Sequence, residues 1–276
     1  MRRLLASLMA VVLFGSWASA QTEVKYRWQT GQVLTYRVDH VTDASDVVAD
    51  SRSDTKSVLR VTKRWQVIGV DTAGVATLQL SLTSMSQERT TPSGEVIRFD
   101  SADPDKSTPQ LREAMSRFLN TPLATIRVDA TGRVVEVKES KSDASSYENE
   151  LPFLVLLPVG GMKPGAGWER AFKITLAPPL GTGEKYEAVQ KYTCKAVTDT
   201  AATVQFTTDL VTAPKAPADA VPLWQMMPQG EVVIDVKNGR LHSARLTITK
   251  DLANHQGENS SCKFSSTLTV QYLGDR

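Results

Sequence analysis

Most of the chain beyond residue 30 alternates between apolar and polar side chains with a period of two. The first such stretch has one face made of Leu34, Tyr36, Val38 and His40. Successive side chains of a strand point to opposite faces of a sheet, so this alternation predicts a strand with one face on a core. The pattern recurs at 57–70, 76–85, 97–99, 124–137, 168–176, 185–197, 203–210, 231–236, 241–250 and 262–273.

Short turns join these stretches. Asp71-Thr72-Ala73-Gly74 and Asp129-Ala130-Thr131-Gly132 have turn composition, and Asn238-Gly239 is the dipeptide typical of a two-residue hairpin. Hairpins make neighbouring strands antiparallel. The sequence therefore predicts a mainly β fold with a minor α component: an antiparallel curved sheet or half-barrel with one or two short helices.

One helix is predicted near residues 109–120. Pro109 suits a first helical turn, and an apolar stripe follows at helical spacing, made of Leu111, Met115, Phe118 and Leu119. We expect this helix to lie across the apolar face of the sheet.

The chain contains two similar halves. Asp71-Thr72-Ala73 between two strands is echoed by Asp199-Thr200-Ala201, and the hairpin at 128–134 resembles the one at 234–241. Duplication predicts a first β-rich half at 21–160 and a second at 161–276, forming two domains or one large sheet. The alternative is that any two antiparallel meanders share such turn chemistry.

Residues 1–20 have the order of a secretory signal peptide. Arg2 and Arg3 precede the apolar run 4–14, and Ala18-Ser19-Ala20 resembles a cleavage site. The run is too short to span a bilayer. We therefore expect an exported, soluble protein, periplasmic or extracellular, that begins near Gln21 and has no transmembrane segment after cleavage.

Charge excludes one class of partner. The formal net charge is +2, from 32 basic and 30 acidic residues, and Arg2 and Arg3 account for this excess. A balanced chain without a basic block is not expected to bind nucleic acid.

Two cysteines, Cys194 and Cys262, lie in predicted strands of a chain expected to meet an oxidising compartment. We predict that they form a disulfide. The alternative is a pair of buried free thiols.

No catalytic or metal-binding motif is present. The three histidines, His40, His242 and His255, lack the close spacing of a zinc site, and there is no Gly-x-Ser-x-Gly or His-Glu-x-x-His sequence. We expect neither an enzyme nor a cofactor.

Three apolar segments interrupt the strands: the helix stripe, the run 153–157 and the stretch 224–227. They provide these candidate ligand-lining residues: Leu111, Met115, Phe118, Leu119, Phe153, Leu154, Leu156, Trp224, Met226 and Met227. One interpretation is ordinary core on the concave face of the sheet. The other is a cleft for an acyl chain, in which methionine side chains would adapt to the ligand.

Two meanders, an amphipathic helix and an export signal together resemble the lipoprotein-carrier superfamily. That resemblance implies a half-open barrel around an apolar cavity, and partners that are lipids or acylated proteins. Stretches such as Gly31-Gln32-Val33-Leu34 and Asp129-Ala130-Thr131-Gly132 also look like uncharacterised exported bacterial proteins of planctomycete type. The expected function is non-enzymatic binding of an apolar ligand or acylated partner; the alternative is a structural or interaction module of the envelope.

Overall fold

A computed structural model describes residues 22–141, 146–149 and 151–275. The predicted signal peptide, 1–20, lies outside them. The strands are β1 Val33–Val48, β2 Ser51–Val70, β3 Ala76–Thr90, β4 Val96–Asp100, β5 Pro122–Val128, β6 Val134–Ser140, β7 Gly167–Leu176, β8 Glu184–Val197, β9 Ala201–Leu210, β10 Gln229–Asp235, β11 Arg240–Ala253 and β12 Ser261–Gly274. The helices are α1 Pro109–Ser116 and α2 Ser146–Asn149, with 3-10 helices at Pro104–Lys106 and Pro217–Met226.

Within the described residues, the strands form one twelve-stranded antiparallel sheet that is curved and unclosed. Its order is β6-β5-β3-β2-β1-β12-β11-β10-β9-β8-β7, and β4 pairs separately with β3. The predicted fold class is therefore confirmed. Strands β6 and β7 are the two edges, so the chain segment between them must pass from one edge of the sheet to the other.

Alternation places the core on the concave face. In β1, Leu34, Tyr36 and Val38 are buried, and inward residues of β2, β3, β5 and β8 to β12 join them in a single cluster. Side chains from strands this far apart in the sheet can share one core only because the sheet curls around it.

The segment between the edges fills the base of this concavity. We call residues 151–157 the plug. Its Phe153 is 1% exposed, and its ring centroid lies 5.3 Å from Tyr26, 5.2 Å from Trp28 and 5.9 Å from Trp65. Aromatic pairs at such distances add to the gain from burying their area. At the base of the concave face, the plug is therefore part of the hydrophobic core.

The first three strands are longer than predicted. The paired residues of β1 and β2 continue to Val48 and Ser51, and β3 continues to Thr90. Residues 43–57 alternate little, because both faces of these arms are at least partly exposed there. Hydrophobic alternation cannot identify a strand that has no buried face.

Helix α1 is not where we expected it. It packs beside β4, none of its residues is buried, and its apolar stripe does not contact the main core cluster. Leu111, Met115, Phe118 and Leu119 are half-buried. The concave face has no room for the helix at its base, because the plug already fills it.

The predicted disulfide is wrong: Cys194 and Cys262 are both buried and free. Three strands separate β8 from β12 in the sheet. Following paired residues across them from Cys194 leads to Val270, eight positions along β12 from Cys262. At about 3.4 Å per residue the two levels are roughly 27 Å apart, whereas bridged Cα atoms lie within about 7 Å.

Strands from both predicted halves, 21–160 and 161–276, belong to this one sheet. β12 lies between β1 and β11, so it joins the two meanders edge to edge. Division into these two halves stays a prediction.

Candidate apolar crevice

An apolar crevice of about 160 Å³ lies on the concave face, between the plug and the 3-10 helix Pro217–Met226. Its walls come from the plug, the 3-10 helix with the residues after it, and six strands. The lining residues are His40, Thr42, Leu151, Leu154, Phe172, Gln190, Phe206, Gln225, Met226, Pro228, Leu246, Ile248, Phe264, Ser266 and Leu268.

The floor of the crevice is a row of paired residues across the sheet. His40 pairs with Leu268, Leu268 with Leu246, and Phe206 lies two strands further on. Between Leu246 and Phe206 the row contains Gly230, where an added Cβ would lie 2.1 Å from a backbone oxygen of β11. A side chain at this position would collide with the backbone of β11, so the row contains only backbone there.

The 3-10 helix closes the crevice on one side. Leu223 is fully buried in a second, smaller core with Ile174, Leu176 and Ala188, and Trp224 is also buried. These residues anchor the helix to the sheet. Met226, at the end of the helix, is half-buried and contributes its side chain to the crevice wall.

One corner of the crevice is polar. His40 Nε2 lies 2.7 Å from Ser266 Oγ and 3.3 Å from Thr42 Oγ1. Thr42 and Ser266 are directly opposite each other in the β1–β12 ladder, so their side chains share the concave face. The alternation of β1 predicts that His40 faces inward, because it follows three apolar residues on the same face, but it indicates no role for this side chain.

The opposite end of the crevice contains a second polar group, Gln190. Its Oε1 accepts hydrogen bonds from Tyr192 Oη at 2.7 Å and from Arg170 Nη1 at 3.0 Å. Burial raises the pKa of Tyr192 to about 12, and burial also lowers the pKa of Arg170. Both shifts arise because burial disfavours the charged form of each group.

Of the ten predicted ligand-lining residues, Leu154 and Met226 line the crevice. Phe153 lies in the aromatic cluster at the base, and Trp224 packs with its ring centroid 6.4 Å from Phe264. Leu156 and Met227 line separate depressions. Of the other four, Leu111 and Met115 lie on α1 beside β4, and Phe118 and Leu119 follow this helix, with Leu119 bridged to Leu82 of β3. Ligand binding by any of these residues stays a prediction.

Ser266 and His40 have the spacing of a nucleophile and its base. Acyl transfer also needs hydrogen-bond donors for the oxyanion. Ser266 lies inside β12, whose ladders with β1 and β11 both pair this position, so strand backbone N–H groups there are already used. The pair is better suited to binding a polar group than to attacking one.

Two further observations concern metal ions and membranes. Over residues 22–141, 146–149 and 151–275, no three histidine, cysteine or acidic side chains are grouped so that they could hold a metal ion. None of the helices in these ranges has the length and apolar character needed to cross a bilayer.

No family model and no curated protein matches the chain. Several solved structures resemble it weakly, including the following three. DynF from the dynemicin biosynthesis pathway of Micromonospora chersina is 9% identical, with 96% of this chain and 93% of that one covered and a TM-score of 0.23. An outer membrane channel from Pseudomonas putida is also 9% identical, covering 92% and 98%, with a TM-score of 0.19.

A DUF1329 family protein from Desulfovibrio piger is 8% identical, covering 89% and 87%, with a TM-score of 0.14. With TM-scores this far below 0.5, none of the three similarities bears on the function of this chain. None of them links it to planctomycete proteins.

Proposed function

We propose that this protein is a non-enzymatic binding protein that holds a short apolar chain in the crevice between the plug and the 3-10 helix. The observation that supports this is the unfilled space on the concave face, which is bounded by Leu154, Phe206, Leu246 and Met226. Transfer of apolar surface from water into such a space is favourable, at about 25 cal/mol per Å². A well-packed interior would instead leave few voids larger than a water molecule.

The size of the crevice limits the ligand. Its volume of about 160 Å³ is close to that of an engineered cavity of about 150 Å³ that binds benzene. The buried part of a ligand therefore has about six carbon atoms. A longer acyl chain would extend beyond the crevice toward the polar arms of β1 and β2.

The test is to fill the crevice with a side chain. We expect benzene to raise the melting temperature of delipidated wild-type protein, because a ligand that binds only the folded state stabilises it. Met226→Trp should remove this effect. The matched control is Met227→Trp, because the neighbouring Met227 lines a separate depression. An unchanged melting temperature for the wild type, or equal shifts in both variants, would contradict the proposal.

A second candidate function is an interaction module of the cell envelope. The edge strands β6 and β7 flank a groove of about 650 Å³, lined by Arg133–Val137 and Glu169–Lys173. Edge strands can pair with a strand of another protein. Capture of a specific envelope protein by the wild type, together with no benzene response, would favour this module over ligand binding.

The proposal includes export of the protein from the cytoplasm. The order of residues 1–20 supports it, and a protein that binds lipids or acylated partners would meet them in the envelope. N-terminal sequencing of protein recovered from the periplasm or medium should give Gln21 as the first residue. A cytoplasmic protein that retains Met1 would refute export and leave the benzene experiment unaffected.

A further inference from the structure

The polar corner of the crevice has spare hydrogen-bonding capacity. A histidine Nε2 either accepts one hydrogen or donates one, whereas each hydroxyl has one donor and two acceptor positions. Within the described residues, Ser266 Oγ and Thr42 Oγ1 have no other hydrogen-bond partner than His40 Nε2. At most one hydroxyl hydrogen is used by the imidazole, so at least one remains available to an occupant.

The same corner is poorly suited to a charge. Among the described residues, those that line the crevice include no lysine, arginine, aspartate or glutamate. While the imidazole of His40 is neutral, no cation lies beside a carboxylate in this corner, and its burial costs far more than burial of a neutral carbonyl that accepts a hydrogen bond. The occupant that suits this corner is therefore neutral and accepts hydrogen bonds.

The apolar part of the occupant has a defined direction. From the polar corner on β1 and β12, the floor continues through Leu268 and Leu246 to Phe206. A chain with its polar end at Ser266 would extend along these side chains, below Met226.

We propose that the crevice recognises an acyl chain through the neutral carbonyl of its ester or amide link, with at least one of the hydroxyls of Ser266 and Thr42 donating to the carbonyl oxygen. This inference rests on the proposed binding function. It assigns the ligand class, an O-acyl or N-acyl compound, and it excludes the free fatty acid as the preferred form. An ester would come from a lipid, and an amide from an acylated polypeptide.

The experiment compares four ligands with six-carbon chains by calorimetric titration of the delipidated full-length protein: methyl hexanoate, N-methylhexanamide, hexanoate and hexane. We expect methyl hexanoate or N-methylhexanamide to bind about tenfold more tightly than hexane, which corresponds to one or two neutral hydrogen bonds. We expect hexanoate to bind no better than hexane. Whichever of the two carbonyl compounds binds more tightly identifies lipid or acylated polypeptide as the source.

The variants separate this inference from the function on which it rests. The double variant Thr42→Val/Ser266→Ala should lose the tenfold preference and still bind hexane. Thr267→Val is the control, because Thr267 is the next residue of β12 and lies opposite Val41, on the other face of the sheet.

Four results would overturn the inference. Equal affinity of the wild type for hexane and methyl hexanoate would refute carbonyl recognition and leave apolar binding intact. A double variant that keeps the full preference would refute recognition by these two hydroxyls and also leave apolar binding intact. Tighter binding of hexanoate than of the ester would refute a neutral site. If no compound binds the wild type, the binding function fails as well.

Discussion

The base of the concave face and its upper part are built from the same strands, yet the base is solid and the upper part contains a crevice. At the base, Leu34, Tyr36 and Val38 of β1 face the aromatic cluster around Phe153. The next two inward-facing residues of β1, His40 and Thr42, line the crevice.

The difference arises from what covers the sheet. The N-terminal segment, residues 22–32, and the plug together fill the base, where Tyr26 and Phe153 are both almost fully buried. Higher up, the cover is the 3-10 helix, which reaches the sheet through Leu223 and leaves a gap beside Met226. The comparison shows that the apolar segments of this chain have two roles: one completes the core, and the other forms the boundary of a candidate binding site.

The largest expected effect comes from the filled region. Phe153→Ala removes a fully buried ring from the aromatic cluster, so we expect the free energy of unfolding to fall by about 3–5 kcal/mol. Urea denaturation followed by fluorescence measures it. Val159→Ala serves as the control, because Val159 is 91% exposed and exposed substitutions usually change stability by less than about 0.5 kcal/mol. A loss below about 1 kcal/mol for Phe153→Ala would contradict a tightly packed base.

A second pair of variants tests how closely the N-terminal segment fits the base. Gly132 and Gly74 occupy the same position in two equivalent turns, each with a backbone hydrogen bond to the first aspartate of its turn and a positive φ. A Cβ on Gly132 would lie 2.6 Å from the ring of Tyr26, whereas a Cβ on Gly74 would meet open space.

Both alanine variants suffer the strain of a positive φ. Gly132→Ala should lose a further 1–3 kcal/mol or so of unfolding free energy through the overpacking of Tyr26. Both losses are measured by urea denaturation. Equal losses of unfolding free energy in the two variants would show that the ring of Tyr26 can move away from the added methyl group without destabilising the fold.

The sequence indicates the base far better than the upper part. Alternation predicted the strands, and core on the concave face was one of the two interpretations of the apolar run 153–157. The polar corner was missed because it depends on register: Ser266 lies opposite Thr42 in the ladder although 224 positions separate them in the chain. The disulfide prediction failed for the same reason, since strand order and register keep Cys194 and Cys262 apart.

The free energy of unfolding at alkaline pH tests the burial of Tyr192, which lies between the base and the crevice and donates a hydrogen bond to Gln190. Burial raises the pKa of Tyr192 to about 12. In the unfolded chain a tyrosine releases its proton near pH 10, so between these values the folded state holds more protons than the unfolded state. Stability from this residue is therefore complete below pH 10 and declines as the pH rises toward 12.

Tyr192→Phe should make this decline shallower by at most about 1.4 kcal/mol per pH unit. Unfolding experiments at several pH values between 8 and 12 would measure the slope for both proteins. A variant with the same slope as the wild type would show that the Tyr192 hydroxyl is accessible to water.

The smallest expected effect is that of a reducing agent. Because Cys194 and Cys262 are free, dithiothreitol should leave the free energy of unfolding unchanged within about 0.5 kcal/mol. Protein denatured without reductant should show two titratable thiols. A clear loss of stability on reduction would mean that the strand order is different from the one described here.

A crystal structure of the protein with methyl 6-bromohexanoate tests most directly whether the upper part of the concave face is a ligand site. We expect an anomalous bromine peak inside the crevice, near Phe206 and Leu246, with the ester carbonyl beside Ser266. A crevice closed by side chains, or bromine found only on the outer surface, would contradict a ligand site there.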